Sequence, residues 1–229
     1  IGVVVLPQLS KYVHRKKKKK ISLIQNKALE LSMFLSVPAS VALVIGSEQI
    51  ISALFGYGSF TENSVLNSSN ALFYFGLGLP AFALIKVFST FFFANHDTKT
   101  PFYISLVSVL LNILISIYFF KDVGFIIIPI ATTISSWFNA LILFIYLKNN
   151  NLFEFNQSFF KQFVKIIFAS IMMGIFFQYL ILLFENQLSY TYFFKSAYLL
   201  LCVLSTIIFY FAVSYFIKAF NYQDIKLKY

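Results

Sequence analysis

The sequence predicts an all-α polytopic membrane protein with six complete transmembrane helices and a truncated first helix. Of its 229 residues, 59% are hydrophobic and 11% are charged, whereas a soluble domain has about 25% charged residues. The apolar residues also form long continuous runs, and a helix needs about 20 such residues to cross a bilayer. These two observations exclude a soluble globular enzyme, a disordered protein and a disulfide-stapled secreted domain.

The first apolar segment, residues 1–10, is shorter than a complete membrane span. It has neither the charged beginning nor the cleavage site of a signal peptide. We therefore expect it to be the end of a membrane helix, and the sequence to be the C-terminal piece of a longer protein.

Six complete apolar runs follow, separated by polar segments. They cover residues 31–55, 70–94, 102–120, 125–147, 163–184 and 193–217. Helices are expected because backbone polar groups in lipid must be paired within their own segment. A transmembrane β-barrel needs alternating polar and apolar residues, and these runs do not alternate. Pro38, Pro80 and Pro129 lie inside runs and predict kinks.

The basic residues predict the orientation of the helices. Loops on one side of the predicted membrane hold 15 of the 18 Lys and Arg residues, and loops on the other side hold only Lys121 and Lys195. Since Lys and Arg accumulate in cytoplasmic loops, we expect the basic side and the C-terminus to face the cytoplasm. The acidic residues expected on the outer side are Glu48, Glu62, Asp122 and Glu185.

The densest basic cluster follows the first apolar segment directly. It comprises Arg15, Lys16, Lys17, Lys18, Lys19 and Lys20. Next to a membrane, each Lys or Arg attracts anionic lipid by about 1 kcal/mol, so we expect a topology anchor in contact with anionic lipids. A nucleic-acid patch has a similar composition, but the adjoining membrane segment argues against a nucleic-acid partner.

Lys86 is the one charged residue deep inside an apolar run. It lies nine residues before Asn95, about 13 Å at the rise of a helix. A charge at the bilayer centre costs about 2.5–3.5 kcal/mol and usually faces a bundle interior or a wet cavity. We expect a cavity-lining cation, continued on the next turn by Ser89 and Thr90. A lysine that snorkels to the interface is the alternative.

Two neighbouring runs carry polar residues at helical spacing, and each set would lie on one helix face. They are Ser105, Ser108, Asn112 and Ser116 in the first run, and Thr132, Ser135 or Ser136, and Asn139 in the second. Small polar residues in this pattern usually mark helix–helix contacts in membranes. Alternatively, Asn112 and Asn139 line one hydrophilic cavity together with Lys86. The last two runs carry no charge away from their ends and are expected to face lipid.

The sequence shows no catalytic or metal-binding pattern. Paired carboxylates within one loop, a glycine-rich phosphate loop and the H-E-x-x-H pattern are all missing, and Cys202 is the only cysteine. We therefore expect a transporter rather than an enzyme, with no cofactor and no metal.

Three segments share their order and spacing with one known family. Residues 6–10 read LPQLS, and residues 55–61 read FGYGSFT, with Phe55, Gly56, Gly58, Phe60 and Thr61 at the positions of the pattern FGxGxFT. The third segment runs from GLPAF at 78–82 through KV at 86–87 to FANHDTKTP at 93–101. In these motifs the chain resembles the MurJ (MviN-type) lipid II flippases. The resemblance covers residues 1–147, and residues 148–229 are similar only in composition.

The third motif ends in a short loop that contains Asp97, Thr98, Thr100 and Pro101. An Asp side chain can accept hydrogen bonds from nearby backbone N–H groups, so we expect Asp97 and Thr98 to cap or hinge this cytoplasmic loop. Thr100 suits a helix N-cap, and Pro101 suits the first position of the helix.

The resemblance implies the C-terminal half of a fourteen-helix, two-lobe flippase. Residues 1–147 would be a partial six-helix lobe, from the end of helix eight to helix twelve. Residues 148–229 would be two extra helices that form a lipid-tail groove, followed by a cytoplasmic tail. The implied substrate is lipid II, an undecaprenyl-linked peptidoglycan precursor, which moves from the inner to the outer leaflet of the bacterial inner membrane by alternating access.

The chain departs from the family in its arginines. Arg15 is its single arginine, so the family's cavity arginines fall outside this sequence, and we do not expect the chain to transport by itself. Another polysaccharide or drug exporter of the same superfamily is one alternative function. A membrane-embedded glycolipid-processing enzyme and a membrane scaffold that holds a partner through its basic loop are the others.

Overall fold

A computed structural model describes residues 2–14 and 17–219, and all of their regular elements are helical. The helices are α1 (Gly2–His14), α2 (Lys18–Ile45), α3 (Ser47–Phe55), α4 (Glu62–Ala94), α5 (Lys99–Val123), α6 (Ile127–Asn149), α7 (Gln157–Leu183), α8 (Glu185–Leu188) and α9 (Lys195–Ile217). One turn of 3₁₀ helix, Gly124–Ile126, joins α5 to α6. The predicted all-α class is confirmed.

Five helical stretches in the described residues are long and apolar enough to cross a membrane. One of them, Lys99–Asn149, contains both α5 and α6. These two helices fold back on each other, since Asn112 of α5 donates a hydrogen bond to Thr132 of α6 over 3.0 Å. Counted separately, α5 and α6 bring the crossings to six, in line with the six apolar runs.

The boundaries of the first complete span differ from the prediction. The run 31–55 is divided at Gly46 into α2 and α3, and α2 already begins at Lys18. The basic segment 11–27, between the first apolar segment and the run 31–55, was expected to be a loop, but residues 11–14 and 18–27 are helical. The reason is that lysine is a good helix former, so α2 continues as a helix beyond its apolar part.

The packing places α2 and α4 at the centre of the bundle. α2 packs against α4 and α7, while α4 also packs against α6. The α5–α6 hairpin extends the bundle on one side, and the α7–α9 pair extends it on the other side. Consecutive long helices alternate in direction, so the 46–61 and 184–194 connections lie at the same end of the bundle.

Pro38 creates a polar tie between α2 and α9. Proline has no backbone N–H, so the carbonyl four residues earlier, that of Phe34, loses its normal helix donor. The Tyr210 hydroxyl of α9 donates to this carbonyl over 2.8 Å in a buried position. Neighbouring helices commonly supply such donors in membranes. The proline predicted to kink this span thus marks the point where the last helix is attached.

Pro80 in α4 is compensated in the same way. The Gly76 carbonyl, four residues before Pro80, accepts a hydrogen bond from the Ser40 hydroxyl of α2 over 2.7 Å. Thr133 and Trp137 of α6 donate to two further α4 carbonyls nearby, over 2.6 and 3.1 Å. The weakened turn of α4 is therefore held from both sides by its neighbours.

Candidate functional site

An apolar groove of about 460 Å³ lies between α2, α7 and α9. Its lining residues are Phe34, Leu35, Pro38, Ala39, Ala42, Leu43, Ile50, Met173, Phe177, Val203, Thr206, Ile207, Tyr210 and Phe211. Thr206 and Tyr210 carry the only side-chain hydroxyls in this lining. The Thr206 hydroxyl donates to the Cys202 carbonyl over 2.7 Å, and the Tyr210 hydroxyl donates to the Phe34 carbonyl. The groove therefore presents hydrocarbon to whatever occupies it.

The groove is not made by the last two long helices alone. Six of its 14 lining residues belong to α2, and α3 contributes Ile50. The resemblance implied a lipid-tail groove formed by the final helix pair. Long-range packing adds a wall from α2, which no local pattern in the sequence could indicate.

The polar faces of α5 and α6 meet in a small seam. Asn112 donates to Thr132 over 3.0 Å and to Ser135 over 3.4 Å, and Asn139 donates to Ser105 over 3.4 Å. The seam contains a cavity of about 230 Å³. Within the described part of the chain, the buried Oδ1 atom of Asn139 has no hydrogen-bond partner. The structure thus brings Asn112 and Asn139 into one polar site.

Lys86, Ser89 and Thr90 lie elsewhere, on α4. None of them lines the cavity between α5 and α6. The Thr90 hydroxyl donates to the Lys86 carbonyl over 2.8 Å and is satisfied within its own helix. The Lys86 side chain is exposed on the surface of the chain, and among residues 2–14 and 17–219 its ammonium group has no partner.

The FGYGSFT segment forms the connection from α3 to α4. Gly58 adopts a φ of +62°, a conformation that glycine adopts at no steric cost. Thr61 is the N-cap of α4, and its hydroxyl accepts a hydrogen bond from the Ser64 N–H over 3.3 Å. The Phe55 and Phe60 rings flank the turn, with centroids 6.3 Å apart. The motif residues therefore shape a tight turn.

Sequence reasoning missed the partner of this connection, Lys195. Lys195 is 1% exposed, and its ammonium group donates to the Gly56 and Tyr190 carbonyls, over 2.7 Å each. The rings of Tyr57 and Tyr190 lie 4.5 and 4.6 Å from the same nitrogen atom. These contacts, here called the Lys195 cage, join the start of α9 to the α3–α4 connection.

Gly56 is the sequence signal that points to this cage. A Cβ atom at position 56 would lie 3.0 Å from the Lys195 Nζ atom and 2.5 Å from the Ser52 carbonyl oxygen. Only glycine lets the backbone approach so closely. The glycine at position 56 can be interpreted in this way only when the fold is known, because the fold brings Lys195 next to the FGYGSFT segment.

At the opposite end of the bundle, α2 holds the connection that leads to α7. Gln25 donates to the Leu152 carbonyl over 2.9 Å, and Asn26 donates to the Glu154 carbonyl over 2.9 Å. The Asn26 side-chain oxygen in turn accepts from the Asn156 N–H over 3.0 Å. Together with the Lys195 cage, these contacts attach the α7–α9 pair to the rest of the bundle at both ends.

Asp97 caps the start of α5. Its carboxylate accepts a hydrogen bond from the Thr100 N–H over 3.0 Å. Burial alone would raise the pKa of Asp97, but hydrogen bonds from Thr100 and Lys99 and the Lys99 charge outweigh it and hold the pKa below its usual value.

The predicted start of this helix is wrong by two residues. α5 begins at Lys99, with Thr98 in the N-cap position, so Thr100 is not the N-cap and Pro101 is not the first helical residue. The Asp97 side chain satisfies an N–H of the first turn, which allows the earlier start. Pro101 is tolerated there because the first N–H groups of a helix have no intrahelical partner.

The basic cluster can be placed only in part. Arg15 and Lys16 lie outside the described residues, whereas Lys17, Lys18, Lys19 and Lys20 are exposed. The last three form the first residues of α2, at the same end of the bundle as Asp97. This arrangement agrees with a charged helix end, and its contact with lipid stays a prediction.

Comparison with known proteins identifies the family. The family profile described as "Lipid II flippase MurJ" matches residues 1–220. The chain belongs to the lipid II flippase MurJ family. The resemblance seen in the LPQLS, FGYGSFT and FANHDTKTP segments is thereby confirmed.

Individual relatives show how much of a MurJ protein the chain covers. It is 31% identical over 230 residues to the probable lipid II flippase MurJ of Rickettsia prowazekii, covering 97% of this chain and 44% of the relative. It is 34% identical over 174 residues to the corresponding Rhizobium tropici protein, covering 76% of this chain and 33% of the relative. A solved structure, "Lipid II flippase MurJ, inward closed conformation", matches with a TM-score of 0.73 and 27% identity, over 98% of this chain and 43% of that chain. The chain thus spans less than half the length of each.

Proposed function

We propose that this chain is part of a flippase that moves lipid II from the inner to the outer leaflet of the bacterial inner membrane by alternating access. The apolar groove between α2, α7 and α9 carries the proposal, together with membership of the MurJ family. A polyisoprenyl tail has no hydrogen-bonding groups, and both hydroxyls in the groove wall are already bonded to the protein. Each buried CH₂ group contributes about 0.8 kcal/mol, so a long tail gains substantially from such a surface.

Residues 1–147 would form part of a six-helix lobe, and residues 148–229 would form the tail-binding pair with a cytoplasmic C-terminus. The orientation rests on the 15-to-2 distribution of basic residues between the two sides. The groove lies where the α7–α9 pair meets α2, at the boundary between these two parts. The lipid tail would therefore be held beside the lobe that handles the polar head.

Lys86 would attract the anionic head of the substrate. Its ammonium group is exposed on α4, and within residues 2–14 and 17–219 it has no partner that would neutralise it. A cation in a region of low dielectric constant concentrates anions such as a pyrophosphate. The Asn112–Asn139 seam would adjust the α5–α6 contact, and Asp97 would set the direction in which the chain enters α5.

A complementation experiment tests the proposal. The native flippase is depleted in its host, and the full-length gene that carries this sequence is supplied. We expect exposure of lipid II on the outer face to be restored. Normal protein abundance without restored exposure would contradict the proposed function.

A pair of variants tests the groove in the same assay. Ala39 lines the groove and is exposed, so Ala39→Trp would fill it with an indole ring. Ala212 is also exposed but lies on the opposite face of α9 from the groove residues, at 100° per residue. We expect Ala39→Trp to reduce lipid II exposure and the matched variant Ala212→Trp to leave it unchanged. Equal effects of the two variants would argue against a tail-binding groove.

A further inference from the structure

The short helix α3 forms one end of the apolar groove. Ile50 of α3 and Val203 of α9 line the groove, and both also pack against a buried apolar cluster. This cluster comprises Ala53, Phe177, Leu180, Ile181, Leu188, Leu199 and Cys202. It fills the space between α3, α7 and α9, so Ile50 and Val203 lie where the groove ends.

The helix α2 does not continue into α3 without a break. α2 ends at Ile45, and α3 begins at Ser47. Between them, Gly46 has a φ of −101° and a ψ of 16°, which lie outside the α-helical region. A Cβ atom at position 46 would lie 2.6 Å from an atom of the Phe177 ring, so only glycine allows α7 to pack this closely at the break. The direction of α3 is therefore set by the contacts that α3 makes itself.

The first residues of α9 hold the far end of α3. The last carbonyls of a helix have no donor within the helix. The Ser196 hydroxyl donates to the Ala53 carbonyl over 2.7 Å, and the Lys195 ammonium group donates to the carbonyl of Gly56, the C-cap of α3, over 2.7 Å. A cation at the C-terminus of a helix also interacts favourably with the helix dipole. Two neighbouring residues of α9 thus complete the end of α3.

Tyr57 links these two donors. Its hydroxyl lies 2.6 Å from the Ser196 Oγ atom. The single hydroxyl proton of Ser196 is donated to the Ala53 carbonyl, so Tyr57 is the donor in this contact. The Tyr57 ring also lies 4.5 Å from the Lys195 Nζ atom. The Ser196 contact and the Lys195 cage therefore act on α3 together.

Ile50 lies one turn before Ala53 on α3, so the contacts at the end of α3 fix where Ile50 meets the groove. We propose that Lys195 and Ser196 are positioning residues for the lipid tail, because they hold α3 against α9 and so keep Ile50 in place as the end wall of the groove. This inference rests on the proposed function of the groove. A hydrocarbon chain gains dispersion contacts only from atoms at van der Waals distance. Without the two donors, α3 turns at Gly46 and the tail loses the wall.

A photolabelling titration of the full-length protein in phosphatidylcholine nanodiscs tests the proposal. The probe is undecaprenyl phosphate with a diazirine in its tail, and labelled peptides of α2 and α9 are measured by mass spectrometry. Excess unlabelled undecaprenyl phosphate identifies the displaceable part of the labelling. Ser196→Ala should raise the probe concentration for half-maximal labelling by about threefold or more, as expected for one lost hydrogen bond. The maximal labelling should stay the same, whereas a purely structural defect would lower it by removing folded protein.

Further variants separate positioning from stability. Ser196→Thr keeps the hydroxyl and should restore the half-maximal concentration. Ser189→Ala is the matched control, since it removes a hydroxyl at the same end of the bundle that donates to the Asn186 carbonyl over 2.8 Å. It should change neither value. Ile50→Ala removes the wall itself and should raise the half-maximal concentration, and Ser196→Ala should add nothing further in that background. Lys195→Met should act like Ser196→Ala.

Three results would overturn the proposal. They are an unchanged half-maximal concentration in Ser196→Ala, an equal rise in Ser189→Ala, and independent effects of Ser196→Ala and Ile50→Ala that simply add. All three leave the labelling of the unsubstituted protein intact, so the proposed tail-binding groove would stand. Absence of displaceable labelling in the unsubstituted protein would contradict both the groove and its end wall. Size-exclusion chromatography checks folding, and if Lys195→Met is not folded, Ser196→Ala decides alone.

Discussion

The tie between Pro38 and Tyr210 allows a quantitative prediction. Tyr210→Phe removes the hydroxyl that donates to the Phe34 carbonyl over 2.8 Å, in a buried position. Pro38 cannot supply an alternative donor because it has no N–H. The variant thus removes a buried hydrogen bond to this carbonyl, without removing the ring whose centroid lies 5.1 Å from that of Phe34.

The expected loss is about 1–2 kcal/mol in the free energy of unfolding. An unsatisfied buried acceptor costs about 1–3 kcal/mol, whereas hydrogen bonds between membrane helices contribute about 0.6 kcal/mol on average, with a maximum of about 1.7. The average is low because other donors usually replace the lost one. Here the proline blocks that replacement, so the cost should fall in the upper part of the membrane range.

A double-mutant cycle measures this effect directly. Pro38→Ala restores a backbone N–H that can reach the Phe34 carbonyl, so the hydroxyl of Tyr210 becomes less important. Unfolding of the full-length protein is followed in mixed micelles with increasing dodecyl sulfate, and Tyr179→Phe on the exposed face of α7 serves as the matched control. We expect Tyr210→Phe to cost at least about 0.5 kcal/mol less in the Pro38→Ala background. An equal cost in both backgrounds would refute the reasoning.

Three further predictions concern the attachment of the last helices and the start of α5. Lys195→Met should lower the thermal unfolding midpoint by several degrees because the Lys195 cage is lost, whereas Lys121→Met, at an exposed lysine, should not. Asn26→Leu should speed amide hydrogen exchange in the 150–156 connection and leave exchange in the α3–α4 connection unchanged. An equal effect on both connections would contradict the role of Asn26 in holding the 150–156 connection. Asp97→Ala should cost about 0.5–2 kcal/mol as a lost cap, while Asp97→Asn should keep the cap at pH 7. Since the folded pKa of Asp97 lies below its unfolded value, its stabilisation is complete above the unfolded pKa and is lost as the pH falls through the folded pKa. The Asp97→Asn variant should therefore lose less stability than the unsubstituted protein as the pH falls. Unfolding curves measured between pH 3 and pH 7 will show this difference.

The number of membrane crossings could be predicted from sequence, because it depends on apolar length alone. The run 102–120 and the run 125–147 became α5 and α6 with small shifts at their ends. Helix boundaries were less predictable where residues that favour helix continue a span beyond its apolar part, as at Lys18, where α2 begins. The helical spacing of the polar residues around Asn112 and around Asn139 also predicted that each face makes a helix–helix contact, because a periodic pattern fixes which residues lie on one face.

Contacts between distant segments were not predictable. Lys195 and Gly56 are 139 residues apart, and nothing local to Lys195 distinguishes a buried lysine from an exposed one. The α2 wall of the apolar groove has the same origin, since it arises where the α7–α9 pair packs against α2. The separation of Lys86 from the Asn112–Asn139 seam likewise follows from packing, because α4 faces α6 rather than α5.

The most direct test of the proposed function is photo-crosslinking from the groove. A photoreactive amino acid replaces Ala39, which lines the groove, or Ile175, which is 63% exposed on the opposite face of α7. The full-length protein in membranes is then irradiated with radiolabelled undecaprenyl-linked precursor. Strong labelling at position 39 and background labelling at position 175 are the predicted result. Equal labelling at both positions would contradict a groove that holds the lipid tail.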